Sequence, residues 1–584
     1  MSVAQREKVS NRGLPTWAVW AGSLAVLAVA ALLRLWALGR PDSLVFDELY
    51  YVRDAVSQLA HGYPTVWPDD DPAFGGERAR AFGEVASGIS HPPLGKWIIG
   101  LGILVFGPDT GWGWRMAVAL AGVATVGLTM RIGWLLTRSL AVAWLAGLFL
   151  ALDGVHVVLS RVALLDGPLT LCITLGALCI LHDQLQLRRI SLRSEVDARS
   201  GVNTRSEVSA RPVLNSQSEI SARSEINAQS DGFAAISLTK VRSLTEGQSP
   251  TGDRPVTGDR SLTDDRPPAG VLPIVWRRPW LLAAGVSFGA ASAVKWSGLF
   301  ALAAFLLLVT LADLLRRTRH EDRMPWLRAA LQGLVTAAIA LPTALITYLA
   351  SWLGWILHPG GSGRVTGEPW WVSLIGWHTN ILSWHATLDS PHPYQAHPLS
   401  WPLALRPTAM YHHSESGYMA AVTPIPNPIV TWLGVAVILF LVLVGLRQVA
   451  IASRARSFAP LTNHTMFVVA FVLTGYLSGL VPWVILSSRS AVYQFYAVGL
   501  TPFAALAIAV VAAEIAAARS SARPLQLTAI SFDASPSARL GRRVTVAMVV
   551  AAAAVLALLF WPLWSALPVP EWFYRLHLWL PGWA

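Results

Sequence analysis

The sequence has 584 residues, of which 54% are hydrophobic and only 14% are charged, whereas soluble domains usually carry about 25% charged residues. A soluble core does not stay this apolar, because cores stop growing near about 250–300 residues and longer chains divide into domains with charged surfaces. The composition therefore excludes a soluble enzyme, a disulfide-rich secreted module, a collagen-like fibre and a wholly disordered chain, and it indicates a polytopic membrane protein.

Apolar segments that reach, or nearly reach, the length of a membrane span recur along the chain. We identify eleven of them, at residues 16–38, 113–134, 140–158, 167–187, 279–294, 297–315, 328–352, 429–446, 465–486, 492–516 and 544–566. A shorter apolar run at 97–106 is ambiguous, and we interpret it as an interfacial helix. With the N-terminus inside, this choice places the basic clusters in the cytoplasm, as the positive-inside rule requires. The prediction is an all-α polytopic membrane protein.

The polar segments complete the predicted organisation. A cytoplasmic tail at 1–15 precedes helices 1–4 at 16–187, and helices 5–11 at 279–566 precede an outer tail at 567–584. The insertion at 188–278 is predicted to be cytoplasmic and disordered, because it mixes charge with Ser, Pro and Gly and lacks an apolar face. Two long loops face outward, at 39–112 and 353–428, and chemistry is expected where these loops meet.

An acidic pair, Asp47 and Glu48, follows the first predicted span within the segment Phe46-Asp47-Glu48-Leu49-Tyr50-Tyr51. Charge at the membrane surface is costly unless it is solvated or functional, and the flanking residues here are aromatic and apolar. The pair could be ordinary loop acids, but its setting favours a general base that deprotonates a hydroxyl acceptor.

Several cations lie on the predicted outer side, against the positive-inside trend. Lys96 follows His91-Pro92-Pro93, Arg161 precedes Asp166 at an outer turn, Lys295 ends a span, and Arg489 precedes Tyr493 and Tyr496. Snorkelling explains such a lysine equally well, and a structural ion pair explains the Arg and Asp. Together with the acidic pair, however, these cations suit an anionic lipid headgroup.

The second outer loop is rich in histidine. Histidine-rich loops can bind metal, but the spacing here matches no compact ligand set, so no metal site is predicted and a divalent metal has no support. We interpret the segment Tyr411–Tyr418, with His412 and His413, as a flexible loop that faces substrate. The histidines of this loop are His378, His385, His392, His397, His412 and His413.

These motifs together resemble the protein O-mannosyltransferases, polytopic enzymes of the GT-C type that use lipid-phosphate sugars. The resemblance extends over roughly residues 30–505. It is carried by Phe46-Asp47-Glu48, His91-Pro92-Pro93-Leu94-Gly95-Lys96, Gly113-Trp114-Arg115, Arg161-x-x-Leu164-Leu165-Asp166-x-Pro168, Val294-Lys295-Trp296-x-Gly298 and Arg489-x-x-x-Tyr493-x-Phe495-Tyr496.

The resemblance implies transfer of mannose from a polyprenyl-phosphate mannose to Ser or Thr hydroxyls of exported proteins, with inversion, at the outer face of the cell membrane. No resident cofactor is expected. By the same resemblance Asp47, with Glu48 beside it, and Arg115 are the expected catalytic residues. Contact of Lys96, Lys295, Arg489 and Arg161 with the donor phosphate is a hypothesis from their charge and predicted side of the membrane, and it is consistent with the family. The expected substrate-binding residues are Arg34, His91, Asp166, Trp296, His412, His413, Tyr493 and Tyr496.

Two departures from the family pattern are visible. The loop at 353–428 is too short for the β-trefoil domain that eukaryotic members carry, and in this respect the chain resembles the bacterial branch. The insertion at 188–278 lies outside the family's core pattern. Whether a partner such as the secretion machinery docks at the insertion stays open. The alternatives are a lipid-modifying aminosugar or arabinosyl transferase and, from another class, a transporter; a transporter predicts internal repeats and midplane charges, whereas the charges here lie near outer helix ends.

Overall fold

The computed structural model describes residues 15–88, 90–208, 272–320, 322–486, 490–517, 525, 527 and 535–583. Within these ranges the chain is mostly helical. The helices of the first part are α1 (Thr16–Leu35), α2 (Glu48–His61), α3 (Leu94–Phe106), α4 (Gly111–Thr137), α5 (Leu140–Ala151), α6 (Gly154–Leu159) and α7 (Asp166–Val208). Those of the second part are α8 (Pro279–Val294), α9 (Gly298–Arg319), α10 (Pro325–Ser351), α11 (Leu353–Leu357), α12 (Trp370–Thr387), α13 (Pro428–Ala455), α14 (His464–Ser478), α15 (Val481–Ile485), α16 (Thr501–Ala516), α17 (Pro536–Trp564) and α18 (Glu571–Leu576).

The chain divides into two units, residues 1–190 with 273–584 and residues 191–272. Every site residue discussed below belongs to the first unit. Most of the predicted insertion at 188–278 lies outside the described residues. At its start, helix α7 continues to Val208, beyond the predicted end of the fourth span at 187.

Eight helices in the described part of the chain are long and apolar enough to cross a membrane, and four further apolar helices have 10–17 residues. Each of the eleven predicted spans corresponds to one of these twelve helices, and the twelfth, Leu94–Phe106, is the short run interpreted as interfacial. The fold class predicted from the sequence is therefore confirmed as a mostly helical, multi-pass membrane protein, whereas the number of crossings stays a prediction.

Three predicted spans are interrupted, and each interruption has a local cause. The run at 140–158 breaks between α5 and α6, because the Asp153 side chain accepts a hydrogen bond from the His156 amide and begins a new helix. The run at 465–486 breaks after Ser478, and Pro482 begins the short helix α15. The run at 492–516 begins as a 3₁₀ helix, Gln494–Leu500, before Pro502 begins α16. Asp153 and the prolines were visible in the sequence, but the apolar runs concealed their effect.

A small antiparallel sheet interrupts the helical pattern. Its strands are β1 (Tyr411–Glu415), β2 (Tyr418–Val422) and β3 (Val569–Pro570), in the order β1-β2-β3. Ser416 and Gly417 have positive φ angles of 52° and 78°, which suits a two-residue hairpin turn. The interpretation of 411–418 as a flexible loop is therefore wrong, since a defined turn and strand pairing order this segment.

The segment at 39–112, the predicted first outer loop, is folded against the helices. Helices α2 and α3 pack on each other, and α3 packs on α4. Val52, Ala55 and Ile99 are buried at 1% exposure or less, so α2 presents an apolar face to the protein. This packing fixes the start of α2, where the acidic pair lies.

Candidate active site

Asp47 lies immediately before α2 in an unusual backbone turn. The preceding residue, Phe46, has a φ of 49°, a left-handed conformation that is uncommon for a bulky residue and that persists only when the surroundings enforce it. Its ring packs edge-on against Tyr493 and Phe495, with centroid distances of 6.0 and 5.7 Å. The aromatic contacts therefore hold the turn that presents Asp47.

The environment of Asp47 changes its titration. Burial raises the pKa of Asp47 to about 6; the negative charge of Asp166 also raises it, whereas the Lys295 charge and a hydrogen bond from Tyr51 lower it. The charges of Lys295 and Asp166 act on the Asp47 carboxyl group, so the structure brings together three residues that the sequence analysis selected. A carboxyl group that ionises near neutral pH is suited to accept a proton.

Lys295 and Asp166 form a buried ion pair beside Asp47. The Lys295 ammonium donates to both carboxylate oxygens of Asp166 at 3.0 Å, and it lies 4.2 Å from the centre of the Tyr496 ring. Asp166 begins α7, and Lys295 lies in the break between α8 and α9. The pair thus joins two helix ends, and it directs a cation toward the site.

Glu48 has a different environment from Asp47. Its two carboxylate oxygens accept hydrogen bonds from the Arg115 Nε and Nη2 groups at 2.8 and 2.7 Å, and from the amides of Ala163 and Val45 at 2.7 and 3.0 Å. Arg115 also donates to the carbonyls of Leu38, Pro41 and Ser43. Glu48 and Arg115 are at most 1% exposed. This geometry supports a structural link between the first loop, α4 and the turn before α7, and it differs from the catalytic roles expected of both residues.

Arg161 and Arg34 are committed to the protein backbone. Arg161 donates to the carbonyls of Leu33, Arg34, Trp36 and Ala37 at 2.9–3.2 Å, which are groups that the end of α1 leaves without helical partners. Arg34 donates to the carbonyls of Ala30, Leu150 and Ala151 and contacts the His156 ring. Because these bonds use the Nη groups of both guanidinium ions, the geometry does not match the expected contacts of Arg161 with phosphate and of Arg34 with substrate.

Lys96, another of the predicted phosphate-binding cations, is held in a buried ion pair. Lys96 is 1% exposed, and its ammonium lies 2.8 Å from the Asp54 carboxylate. Its predicted contact with phosphate would have to compete with this ion pair. Arg489 lies outside the described residues. Lys295 is therefore the predicted phosphate-binding residue with the clearest relation to Asp47.

A row of ring side chains from both long loops and from the turn after α8 extends from Tyr51 through His91, His385, Trp296 and His378. The His91 ring lies 6.1 Å from Tyr51 and 6.0 Å from His385, and Trp296 lies 5.9 Å from His385 and 5.8 Å from His378. The Trp296 indole donates to the Tyr348 hydroxyl at 3.1 Å. Two predicted substrate-binding residues, His91 and Trp296, therefore belong to one row of rings, which begins at Tyr51, the hydrogen-bond partner of Asp47.

The other predicted substrate-binding residues divide into two groups. Tyr493, which packs against Phe46, and Tyr496, which lies beside Lys295, form an aromatic wall at the site; that they bind substrate stays a prediction. His412 and His413 are exposed on β1, which belongs to a different segment of the sequence from Tyr493 and Tyr496. In the described ranges, no three His, Cys, Asp or Glu side chains come together in a group that could hold a metal ion.

The sequence analysis did not select Phe46, Tyr51 or His385 as site residues. Tyr51 follows Asp47 by four residues and therefore lies one helical turn away on α2, so its spacing was a usable signal. Nothing in the sequence indicated the backbone conformation of Phe46 or the position of His385, because both depend on contacts between distant segments.

Two family models match the chain. The model described as dolichyl-phosphate-mannose-protein mannosyltransferase matches residues 24–194. The model described as the C-terminal four-helix membrane region of protein-O-mannosyltransferase matches residues 370–583. The first range includes Asp47, Arg115 and Asp166, and the second includes Tyr493 and Tyr496.

Curated relatives match almost the full length of the chain. A polyprenol-phosphate-mannose--protein mannosyltransferase of Mycolicibacterium smegmatis is 26% identical over 97% of this chain and 93% of its own. Proteins of the same name from Mycobacterium tuberculosis and Corynebacterium glutamicum are 27% and 26% identical, over 96% and 97% of this chain and 91% and 93% of their own.

Among solved structures, the protein O-mannosyltransferase Pmt1–Pmt2 complex of Saccharomyces cerevisiae, bound to the sugar donor, has a chain with the same fold. The TM-score is 0.63 at 14% sequence identity, over 99% of this chain and 94% of the yeast chain. The likeness at this identity concerns the fold, and it agrees with the GT-C architecture expected from the sequence.

Proposed function

Because this chain belongs to the protein O-mannosyltransferase family, we propose that it transfers mannose from a polyprenyl-phosphate mannose to Ser or Thr hydroxyls of exported proteins. One observation carries the proposal: a carboxyl group with a raised pKa, Asp47, lies beside the ion pair of Lys295 and Asp166. The curated relatives are named for a polyprenol-phosphate-mannose donor, and the yeast relative is bound to a sugar donor.

The proposed reaction is a single displacement at the anomeric carbon. The acceptor oxygen attacks on the face opposite the phosphate, the bond from carbon to the phosphate oxygen breaks, and its electrons leave with the lipid phosphate. Asp47 takes the proton of the acceptor hydroxyl. One displacement inverts the anomeric centre, so one carboxylate base suffices. Lys295 stabilises the charge that develops on the departing phosphate.

The proposed topology places this site outside the cytoplasm. The N-terminus is cytoplasmic, and the acidic pair follows helix α1 on the opposite side of the cell membrane. The charge distribution supports this orientation, because Arg316, Arg317 and Arg319 at the end of α9 then lie on the cytoplasmic side. The acceptor proteins are therefore met as they are exported.

The proposal is tested with the purified full-length protein in lipid nanodiscs, synthetic polyprenyl-phosphate mannose and a peptide with one Thr. The peptide is expected to gain one hexose. α-Mannosidase is expected to release this hexose, and no hexose is expected to be added when Thr is replaced by Val. Transfer of an aminosugar or a pentose from the corresponding lipid donors, without transfer of mannose, contradicts the proposal.

The pH dependence of kcat/KM is expected to report the ionisation of Asp47. A base is active when ionised, so the rate rises with pH below the pKa of about 6 and levels off above it. The Tyr51 hydrogen bond lowers this pKa, so Tyr51→Phe is expected to move the acidic limb to higher pH. A profile of Tyr51→Phe that coincides with the wild-type profile argues against Tyr51 as a positioning residue for the base.

Replacing Lys295 by Gln is expected to weaken donor binding about 10–100-fold, because a charge-assisted hydrogen bond to phosphate contributes about 1.5–3 kcal/mol. The measurement is the KM or Kd for polyprenyl-phosphate mannose. The donor affinity of Asp166→Asn is the comparison, because this variant removes the negative charge that pairs with Lys295 but keeps the Lys295 cation. Equal donor affinity in Lys295→Gln and the wild type assigns Lys295 a structural role.

A further inference from the structure

The hairpin of the second outer loop has one protected edge and one open edge. Strand β3 has two residues and ends in Pro570, which has no amide hydrogen to offer. Strand β1 has five residues without Pro or Lys, and its one carboxylate, Glu415, lies at the turn. Proteins usually protect open edges with Pro, Lys or other charged residues, because unpaired backbone groups there attract another strand. The β1 edge lacks this protection along most of its length.

The register identifies the backbone groups that face away from β2. Glu415 and Tyr418 flank the two-residue turn and form a hydrogen-bonded pair, so pairing alternates along the strand. The amides and carbonyls of His413 and Tyr411 face β2, whereas those of His412 and Ser414 face outward. In the described part of the chain, β1 pairs with β2 alone.

The hairpin is held firmly from its other side. Ala421 and Val422 on β2 are 2% and 3% exposed, and the Ala421 carbonyl accepts a hydrogen bond from the Ala566 amide. The Gly417 carbonyl accepts from the Glu571 amide. The open edge is therefore preformed, and a partner strand would bind without first ordering it.

A series of aromatic neighbours leads from this edge to the Asp47 turn. The His412 ring lies 5.9 Å from Tyr574, which is within electrostatic reach of Tyr394. Tyr394 lies 5.8 Å from His392, and His392 lies 6.4 Å from Phe46. Each of the three ring-to-ring distances in this series is about 6 Å, which two extended residues cover, so an extended polypeptide can follow the series from the edge toward the site.

We propose that the acceptor polypeptide binds as an added strand on β1, through the outward-facing backbone groups of His412 and Ser414. This inference rests on the proposed function, because it assigns the place of that reaction's protein substrate. Strand addition recognises backbone rather than side chains, so one enzyme can accept many Ser- and Thr-containing sequences, provided that they are extended.

The first test is an N-methyl scan of the acceptor peptide with the wild-type full-length protein in nanodiscs. N-methylation removes one amide donor at a time. In an added strand every second amide faces β1, so KM is expected to rise about fivefold or more at alternate positions, with kcat nearly unchanged. Effects that are absent, or equal at consecutive positions, overturn the proposal.

The second test changes the enzyme edge itself. Ser414→Pro removes one outward amide, and proline is tolerated where an edge amide faces outward; Ser414→Ala removes the hydroxyl but keeps the amide. The KM for peptide is expected to be about fivefold higher in Ser414→Pro than in Ser414→Ala, with equal KM for the lipid donor. Equal KM values for peptide contradict the edge proposal.

The two proposals fail in different ways. If the wild-type protein transfers no mannose to any peptide, the proposed function fails. If it transfers mannose but shows neither the alternation in the scan nor the difference between the Ser414 variants, the edge proposal alone fails.

Discussion

Asp47→Asn is expected to reduce mannose transfer about 10²–10⁴-fold, the range that general-base catalysis contributes. Asparagine keeps the shape of the side chain but cannot take the proton of the acceptor hydroxyl. Binding of polyprenyl-phosphate mannose is expected to stay close to the wild-type value, because Lys295 and Asp166 are unchanged. The measurement is single-turnover transfer to a peptide, together with donor Kd.

The stability of this variant separates chemistry from folding. A carboxyl group with a raised pKa is harder to ionise in the folded protein than in the unfolded chain, so its replacement by a neutral amide carries no loss of folding free energy from charge. The thermal midpoint is expected to be maintained. Asp42→Asn, an exposed acid in the same loop, is the matched control. Equal turnover in Asp47→Asn, Asp42→Asn and the wild type removes Asp47 from the mechanism.

Glu48→Ala is expected to have the largest effect on stability, about 3–5 kcal/mol, because it leaves the Arg115 charge buried without its partner. It also removes the acceptor for the Val45 and Ala163 amides. The measurement is thermal or denaturant unfolding in nanodiscs. Turnover is expected to fall as well, since the segment that carries Asp47 loses its attachment.

An exposed ion pair provides the control for Glu48. The Arg575 Nη2 atom lies 2.5 Å from the Glu571 Oε1 atom, and the Glu571 and Arg575 side chains are 47% and 73% exposed. Such exposed ion pairs contribute little to stability. Glu571→Ala is therefore expected to leave the midpoint nearly unchanged. If Glu48→Ala unfolds at the wild-type midpoint but loses all turnover, Glu48 acts in the chemistry, as the sequence motif implied.

Sequence reasoning was most informative about candidate site residues where residue type and the predicted side of the membrane distinguish them from their surroundings. Asp47, Asp166 and Lys295 were selected because charge is rare and costly near a bilayer, and the structure brings the three together. Tyr496 was selected from the motif around Arg489, and it lies under Lys295. These residues are exceptions to a simple pattern of apolar spans and inner cations, so the pattern made them visible.

The roles of Glu48, Arg34 and Arg161 were less accessible to sequence reasoning. A buried arginine that satisfies carbonyls at a helix end and an arginine that binds phosphate have the same charge and the same predicted side of the membrane. Their difference depends on where α1 ends and which carbonyls it leaves unpaired. The same limit applies to the hairpin at 411–422, whose turn depends on the positive φ angles of Ser416 and Gly417.

The surroundings of Asp47 also set a time at which the enzyme can first act. Phe46, Asp166, Lys295 and Tyr496 come from four widely separated parts of the chain, and the last of them leaves the ribosome only after most helices have been synthesised. A nascent chain that has inserted α1–α7 already contains the proposed base, Asp47, but has neither Lys295 nor the aromatic residues that hold the Phe46 turn. If Asp47 and Lys295 act as proposed, mannose transfer is therefore expected to begin only when membrane insertion is nearly complete.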